Sequence, residues 1–284
     1  MNLTNLQSKL IGGKWMLTRS AFDSLYTNLC GLNKSTYGGL KSLILGNPIQ
    51  LQSISDSATT ESTNESIGDL ACLNISGVIV KGASEEEEQL LGVINIDRIS
   101  RMLDELAMDD TVGSIIINFN TPGGEVTGTP ELAQKISDID KHIKPVYGWT
   151  ETQCASAGYW LASQCRTLGM TRSAELGSIG VYLLINDETK KLENEGVKVN
   201  AIYSGLWKLL GHSFRTLSDE ERNHLQTDVT KQHEEFKAVV KAARPEIKDE
   251  ALEGLSYSGD KAFDLGLTDV VCGSIEEYIN EIYS

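Results

Sequence analysis

Residues Ser114 to Phe119 read SIIINF, with three consecutive isoleucines, a phenylalanine and no charge. Side chains branched at Cβ lose χ1 freedom in a helix and pack well on a pleated sheet. A run that is apolar on both alternating faces needs cover on both sides, which a parallel sheet between helices provides. Thr121-Pro122-Gly123-Gly124 breaks the run, and helical spacing follows from Pro130 to His142. The same alternation recurs along the chain. Leu70 to Val80 reads as a strand ending near Gly82, and Asn95 to Met108 as a helix through Ile96, Ile99, Leu103 and Leu106. Pro145 to Thr150 is a strand, and Ser156 to Ser163 opens the next helix. Ile179 to Ile185 and Lys198 to Tyr203 read as strands around a helix from Asp187 to Glu195. A long helix runs from Ser218 to Ala243, followed by a short helix at Asp260 to Leu265, a strand at Thr268 to Val271 and a helix at Ser274 to Ile282. The four acids Glu85 to Glu88 read as an exposed loop. The alternation predicts an α/β fold, a parallel sheet with helices on its faces. No repeat with a period of 20 to 50 residues is evident in the sequence.

This domain is assigned to residues 67–284. Residues 1–66 read as a weakly helical arm, with Leu6, Leu10, Phe22, Leu25 and Leu29 at loose helical spacing. The arm ends in a linker from Asn47 to Ser66, rich in Ser, Thr, Gln and Asn and poor in groups to bury. Twenty-five basic residues against forty acidic ones give a net charge of −15, which opposes binding to nucleic acid or anionic lipid. Met1 to Trp15 has no apolar signal core, and no run approaches the ~18 apolar residues of a membrane span. The five cysteines, Cys30, Cys72, Cys154, Cys165 and Cys272, are scattered and odd in number. Together these features predict a soluble protein in a reducing cytoplasm, without disulfides. His142, His212, His224 and His233 make no metal-ligand pattern and read as solvated surface residues, so neither metal nor cofactor is expected.

Three glycine- and serine-rich turns follow short strands, where an open α/β sheet builds its sites. In Asn120-Thr121-Pro122-Gly123-Gly124-Glu125 the paired glycines permit positive φ and close approach of a ligand. Their N–H groups either hold negative charge on a carbonyl oxygen or simply make a tight turn. In Cys154-Ala155-Ser156-Ala157-Gly158-Tyr159-Trp160 a serine lies among small residues at a helix start, with the Ala157 N–H beside it. Taken alone, Ser156 is a plain N-cap. Ser178 of Gly177-Ser178-Ile179-Gly180 is by itself a turn residue. Lys208 stands between Trp207 and Leu209-Leu210, and an apolar setting disfavours an ammonium ion and so makes a lysine a base. The commoner role of any one lysine is a snorkelling surface cation.

The ordered set T-P-G-G-E-V, A-S-A-G-Y-W-L-A, G-S-I-G-V and S-G-L-W-K resembles the signal peptide peptidase A family, which includes membrane-bound bacterial enzymes and phage capsid-assembly proteases. The resemblance runs from about Asp69 to Ile282 and takes in G-D-K-A-F-D-L-G-L-T-D-V near the end. It implies a ClpP/crotonase-like fold and a serine peptidase with Ser156 as nucleophile, Lys208 as base and Ser178 as the residue that orients the lysine. Gly123 or Gly124 and Ala157 then form the oxyanion hole. The 52 positions from Ser156 to Lys208 match the short, single-domain members. Thr121 replaces the serine of many members and Ala157 the commoner glycine, but neither change removes a backbone N–H. With no anchor expected, the resemblance points to the phage head-maturation branch. The implied partners are polypeptide substrates such as scaffold, portal or capsid protein, in the host cytoplasm or inside the prohead. The family also implies a ring of subunits, about eight, with the dyad completed across each boundary.

Four alternatives stand against this reading. A Ser–His–Asp peptidase needs a histidine soon after Ser156, and none occurs between His142 and His212. An acyl-CoA hydratase or isomerase of the crotonase class would use carboxylates near the turns, for which Glu125 and Glu151 are candidates. An inactive structural head protein would keep the fold without needing the dyad. The fourth is a bacterial cytoplasmic signal-peptide-peptidase-like protease that degrades peptides.

Overall fold

The computed structural model describes residues 13–18, 21–25, 52–53 and 70–284. In chain order the strands and helices are β1 (Lys14–Leu17), β2 (Gln52–Ser53), β3 (Leu70–Ser76), β4 (Val78–Val80), α1 (Glu85–Leu91), β5 (Val93–Asn95), α2 (Ile96–Met108), β6 (Ser114–Asn120), β7 (Gly123–Glu125), α3 (Thr129–His142), β8 (Val146–Thr150), β9 (Gln153–Ala155) and α4 (Ala157–Ala162). They continue with β10 (Leu168–Thr171), β11 (Glu175–Gly177), β12 (Tyr182–Leu183), α5 (Thr189–Asn194), α6 (Asp219–Ala243), β13 (Ser256–Ser258), α7 (Gly259–Asp264), β14 (Val270–Cys272) and α8 (Ile275–Ile282).

The main sheet has the order β14-β10-β8-β6-β3-β2, and every pairing except β2 with β3 is parallel. Ile115, Ile116 and Ile117 are all fully buried on β6. Ile115 and Ile117 face the large core with α2 and α3, while Ile116 faces a second core with Trp149 and Tyr278. Helices thus cover both faces of a parallel sheet, as the isoleucine run requires. This is the α/β architecture expected, a parallel sheet with helices on both faces.

The main-sheet strands do not stop where their apolar runs stop. β3 passes into β4, β6 into β7, β8 into β9 and β10 into β11, and each short strand belongs to another sheet. The second sheet has the order β12-β1-β7-β4-β5 and the third β13-β11-β9. A unit of long strand, short strand and helix therefore recurs. Its helices run from 6 residues in α4 to 14 in α3, so no fixed period marks it in the sequence.

The segment expected as one strand, Leu70 to Val80, shows how the spill-over works. It bends at Gly77, whose φ is +100° and whose missing Cβ would stand 2.2 Å from the Gly92 carbonyl oxygen. Gly77→Ala is expected to cost about 2 kcal/mol or more, from strain at positive φ and the clash with backbone. A urea melt checks this, with a lower midpoint and an unchanged slope.

Several expectations are corrected. Glu85 to Glu88 is not a loop but the first turn of α1, where Ser84 and Glu87 form a capping box and acids suit the helix dipole. Of Ile179 to Ile185 only Tyr182–Leu183 is a strand. Lys198 to Tyr203 is not a strand and is exposed throughout, with no ladder partner among the described strands. Within the expected arm, Lys14–Leu17 is a strand of the second sheet and Trp15 and Met16 are fully buried. Residues 21–25 are helical, and Phe22 and Leu25 pack with Trp15, Leu17, Val78 and Val80. The arm's positions Leu6, Leu10 and Leu29, and all of its linker except residues 52–53, lie outside the described residues. Among the described residues no helix is long and apolar enough to cross a membrane, and no cluster of potential metal ligands occurs.

Candidate active site

The spill-over of β6, β8 and β10 brings three of the sequence turns to one place. The Thr121 N–H donates to the Gln153 carbonyl at 2.9 Å, and the Ala155 N–H to the Thr121 carbonyl at 3.0 Å. The Ser156 N–H donates to the Gly177 carbonyl at 2.7 Å. These bonds fix the Pro-Gly-Gly turn, the serine turn and the Gly177-Ser178 turn to one another. Gly158 is required because a Cβ there would stand 2.3 Å from the Thr121 methyl group.

Ser156 is held at φ 56° and ψ −117°, a region that residues with a side chain rarely enter. It immediately precedes α4, whose six residues are all buried. Trp160 stacks on Phe236 at 4.5 Å, and the Tyr159 hydroxyl donates to the Leu267 carbonyl at 2.9 Å. A helix anchored this firmly can hold the strained residue at its start. The Ser156 Oγ makes no capping bond to α4, and it is buried without a hydrogen-bond partner. The plain N-cap role is thereby excluded. An unpartnered buried hydroxyl costs about 1–3 kcal/mol and is seldom kept without a use.

Gly123 (φ +108°) packs directly on this serine, since a Cβ on it would lie 2.8 Å from the Ser156 Cβ. Its N–H donates to the Thr121 Oγ1 at 3.1 Å. Gly124 lies on β7 with no room for a side chain, the Ile79 carbonyl oxygen being 1.9 Å from where a Cβ would stand. Ala157 is the first residue of α4, so its N–H has no carbonyl one turn earlier to bond. Ser178, also at positive φ (53°), lines the same cavity as Ser156 together with Gly180, Leu17, Phe22 and His233.

His233 was expected on the surface, yet it is partly buried and lines this cavity. Its Nε2 lies 3.0 Å from the Ile179 carbonyl oxygen and 2.8 Å from that of Leu252. Facing two carbonyl acceptors, Nε2 is assigned the ring hydrogen and donates to the cavity wall. Single-sequence periodicity places His233 on a largely polar helix, and nothing local marks it as inward-facing. Glu125 and Glu151 do not line the cavity. Glu125 accepts the Lys81 N–H at 3.1 Å, and Glu151 faces the Trp149 indole at 3.4 Å. The thiols nearest in sequence are poor nucleophiles. Burial raises Cys154 well above the usual thiol range and pushes Cys165 up to about 12.

Lys208 is not brought to Ser156 within the chain. It is exposed, lies in a turn closed by its N–H to the Gly205 carbonyl at 3.1 Å, and does not line the cavity. The segment is nonetheless fixed. Trp207 stacks on His224 at 4.9 Å, and Arg215 donates to the Leu209 carbonyl at 2.9 Å while gripping Glu221 at the start of α6. Arg215 escaped the sequence reading because its partners are known only once the loop is folded back on α6.

A family model described as "Peptidase family S49" matches residues 138–282. Among curated proteins, the chain is 32% identical over 209 residues to "Capsid assembly protease C" of Escherichia phage lambda, covering 73% of this chain and 47% of that protein. It is 27% identical over 216 residues to "Protease 4" of Haemophilus influenzae, covering 75% of this chain and 34% of that one. The chain thus spans about half the length of these relatives or less. Among solved structures it is similar to the membrane-bound stomatin-specific protease 1510-N, with 20% identity, TM-score 0.40, and coverage of 66% of this chain and 76% of the other. The family match extends over more than half of the sequence and includes both the serine turn and the lysine segment. The chain belongs to peptidase family S49.

Proposed function

We propose that the chain is a serine endopeptidase in which Ser156 is the nucleophile and Lys208 of a neighbouring subunit is the general base. The observation that carries the reading is Ser156 itself, strained, buried, unpartnered at Oγ, packed on Gly123 and lining a cavity. A neutral lysine takes the Ser156 proton as Oγ attacks the scissile carbonyl carbon, forming the C–O bond and an oxyanion. The Ala157 N–H stabilises that charge, and Gly123 or Gly124 provides the second donor once the Thr121 hydroxyl yields. The protonated lysine then gives its proton to the leaving amine as the C–N bond breaks, and water hydrolyses the acyl-enzyme. Ser178 lines the cavity where the incoming lysine would be oriented.

A second subunit is part of this reading because Lys208 is exposed in the single chain. Its neighbourhood includes Val197, Val199, Ile202, Tyr203 and Leu206, all exposed, with Ile202 wholly so. Such apolar exposure marks an interface, and a head-to-tail ring would cover it. The relative named as a capsid assembly protease supports a role in phage head maturation, with scaffold, portal or capsid polypeptides as substrates.

A fluorophosphonate probe tests the nucleophile. It should label Ser156 and abolish peptide cleavage, whereas iodoacetamide should leave activity unchanged because the thiols nearest the site are buried and protonated. Inactivation by iodoacetamide without fluorophosphonate labelling would move the nucleophile to a cysteine. A folded protein that neither labels nor cleaves is an inactive scaffold.

A further inference from the structure

We infer that β1 (Lys14–Leu17) occupies the slot in which a substrate polypeptide binds, so that the chain as folded blocks its own active site. The inference rests on the peptidase reading above. In the second sheet β1 lies between β7 and β12 and pairs antiparallel with both. β7 is the strand of Gly123 and Gly124, and β12 closely follows Ser178 and Gly180. The register sets Leu17 opposite Gly123, Met16 opposite Gly124 and Trp15 opposite both Glu125 and Tyr182.

The occupant's backbone runs past the nucleophile. The Met16 carbonyl oxygen lies 2.2 Å, and the Ser156 Cβ 2.8 Å, from the point where a Cβ on Gly123 would stand. Leu17 and Phe22 line the cavity that contains Ser156 and Ser178. The strand is held at its ends by the Thr18 N–H donating to the Pro122 carbonyl at 3.0 Å and the Val126 N–H donating to the Lys14 carbonyl at 3.2 Å. In the sheet order β12 has no neighbour other than β1. The slot is therefore one strand wide, open to any extended chain that offers the same ladder. Trp15, Met16 and Leu17 are almost fully buried in it. A replacement must bury comparable surface, so the preferred substrate is an extended segment of large apolar residues, and it must displace residues 14–17 to reach Ser156.

A reversible tether in the full-length protein tests this. Lys14 and Leu183 are directly paired across β1 and β12, within the Cα range a disulfide spans. The Lys14→Cys/Leu183→Cys variant should cross-link on mild oxidation, lose cleavage of an added apolar peptide by at least about tenfold, and recover on reduction. In the other direction, Thr18→Pro removes the bond to Pro122 and should raise cleavage about fivefold, the equivalent of one hydrogen bond. Equal cleavage by oxidised and reduced protein, or failure of the thiols to join, overturns the resident strand and leaves the peptidase reading standing. If the reduced variant and the parent neither cleave nor take the fluorophosphonate, the peptidase reading fails and takes this inference with it.

Discussion

Replacing Ser156 by alanine is expected to lower peptide cleavage by about 10⁴-fold or more while the folded state stays as stable as before or gains slightly. Loss of a nucleophile removes the acyl-enzyme path entirely, and oxyanion donors alone rescue little of the rate. The stability half separates this role from a structural one. An N-cap serine changed to alanine typically costs about 1 kcal/mol, but Ser156 makes no capping bond and its Oγ has no partner. Deleting a buried, unsatisfied hydroxyl removes a penalty rather than an interaction. The positive φ is equally strained for serine and alanine, so that term cancels. Cleavage assays beside urea melts read both halves. A folded mutant that keeps its activity dismisses Ser156 as nucleophile, and an inactive mutant with a clearly lower melt points to a cap or packing role instead.

What the sequence shows and what it hides divide along one physical line. The isoleucines of β6, the apolar spacing of α2 and the start of α4 at Ser156 are local signals, and they appear as read. β4, β7, β9 and β11 are three residues each or fewer. Too short for an alternating pattern, they are strands only because neighbouring chain supplies their ladders. The glycines that mark these turns were visible, but the transfer of each strand into another sheet was not. Gly77 shows why, since its need for positive φ comes from the Gly92 carbonyl fifteen residues on. Backbone hydrogen bonds join the serine, Pro-Gly-Gly and Gly177-Ser178 turns. His233 and Leu17 reach the same cavity from opposite ends of the chain, where no local pattern announces them. The capping box of α1 is a local signal as well, but four consecutive acids resemble a solvated run, and the pairing of Ser84 with Glu87 shows only in the folded turn.

Two inactive proteins, Ser156→Ala and Lys208→Ala, are expected to regain activity when they are assembled together. Within one chain Lys208 is exposed and absent from the cavity around Ser156, although its segment is fixed by Arg215 and Trp207. A lysine held on an exposed turn outside the cavity is open to contact from a neighbouring subunit. In a head-to-tail ring mixed at equal amounts, about one quarter of the interfaces pair an intact serine with an intact lysine, so activity should return to about a quarter of the parent's. Each variant alone should be dead, and Lys208→Arg with them, because a guanidinium does not release its proton at usable pH. Mixed assembly is verified by native mass spectrometry with one variant isotopically labelled. Activity returning in proportion to mixed interfaces places the dyad between subunits. If mixed rings form and stay dead while the parent is active, the base acts within its own chain, and the segment from 197 to 211 must fold back over the cavity before catalysis.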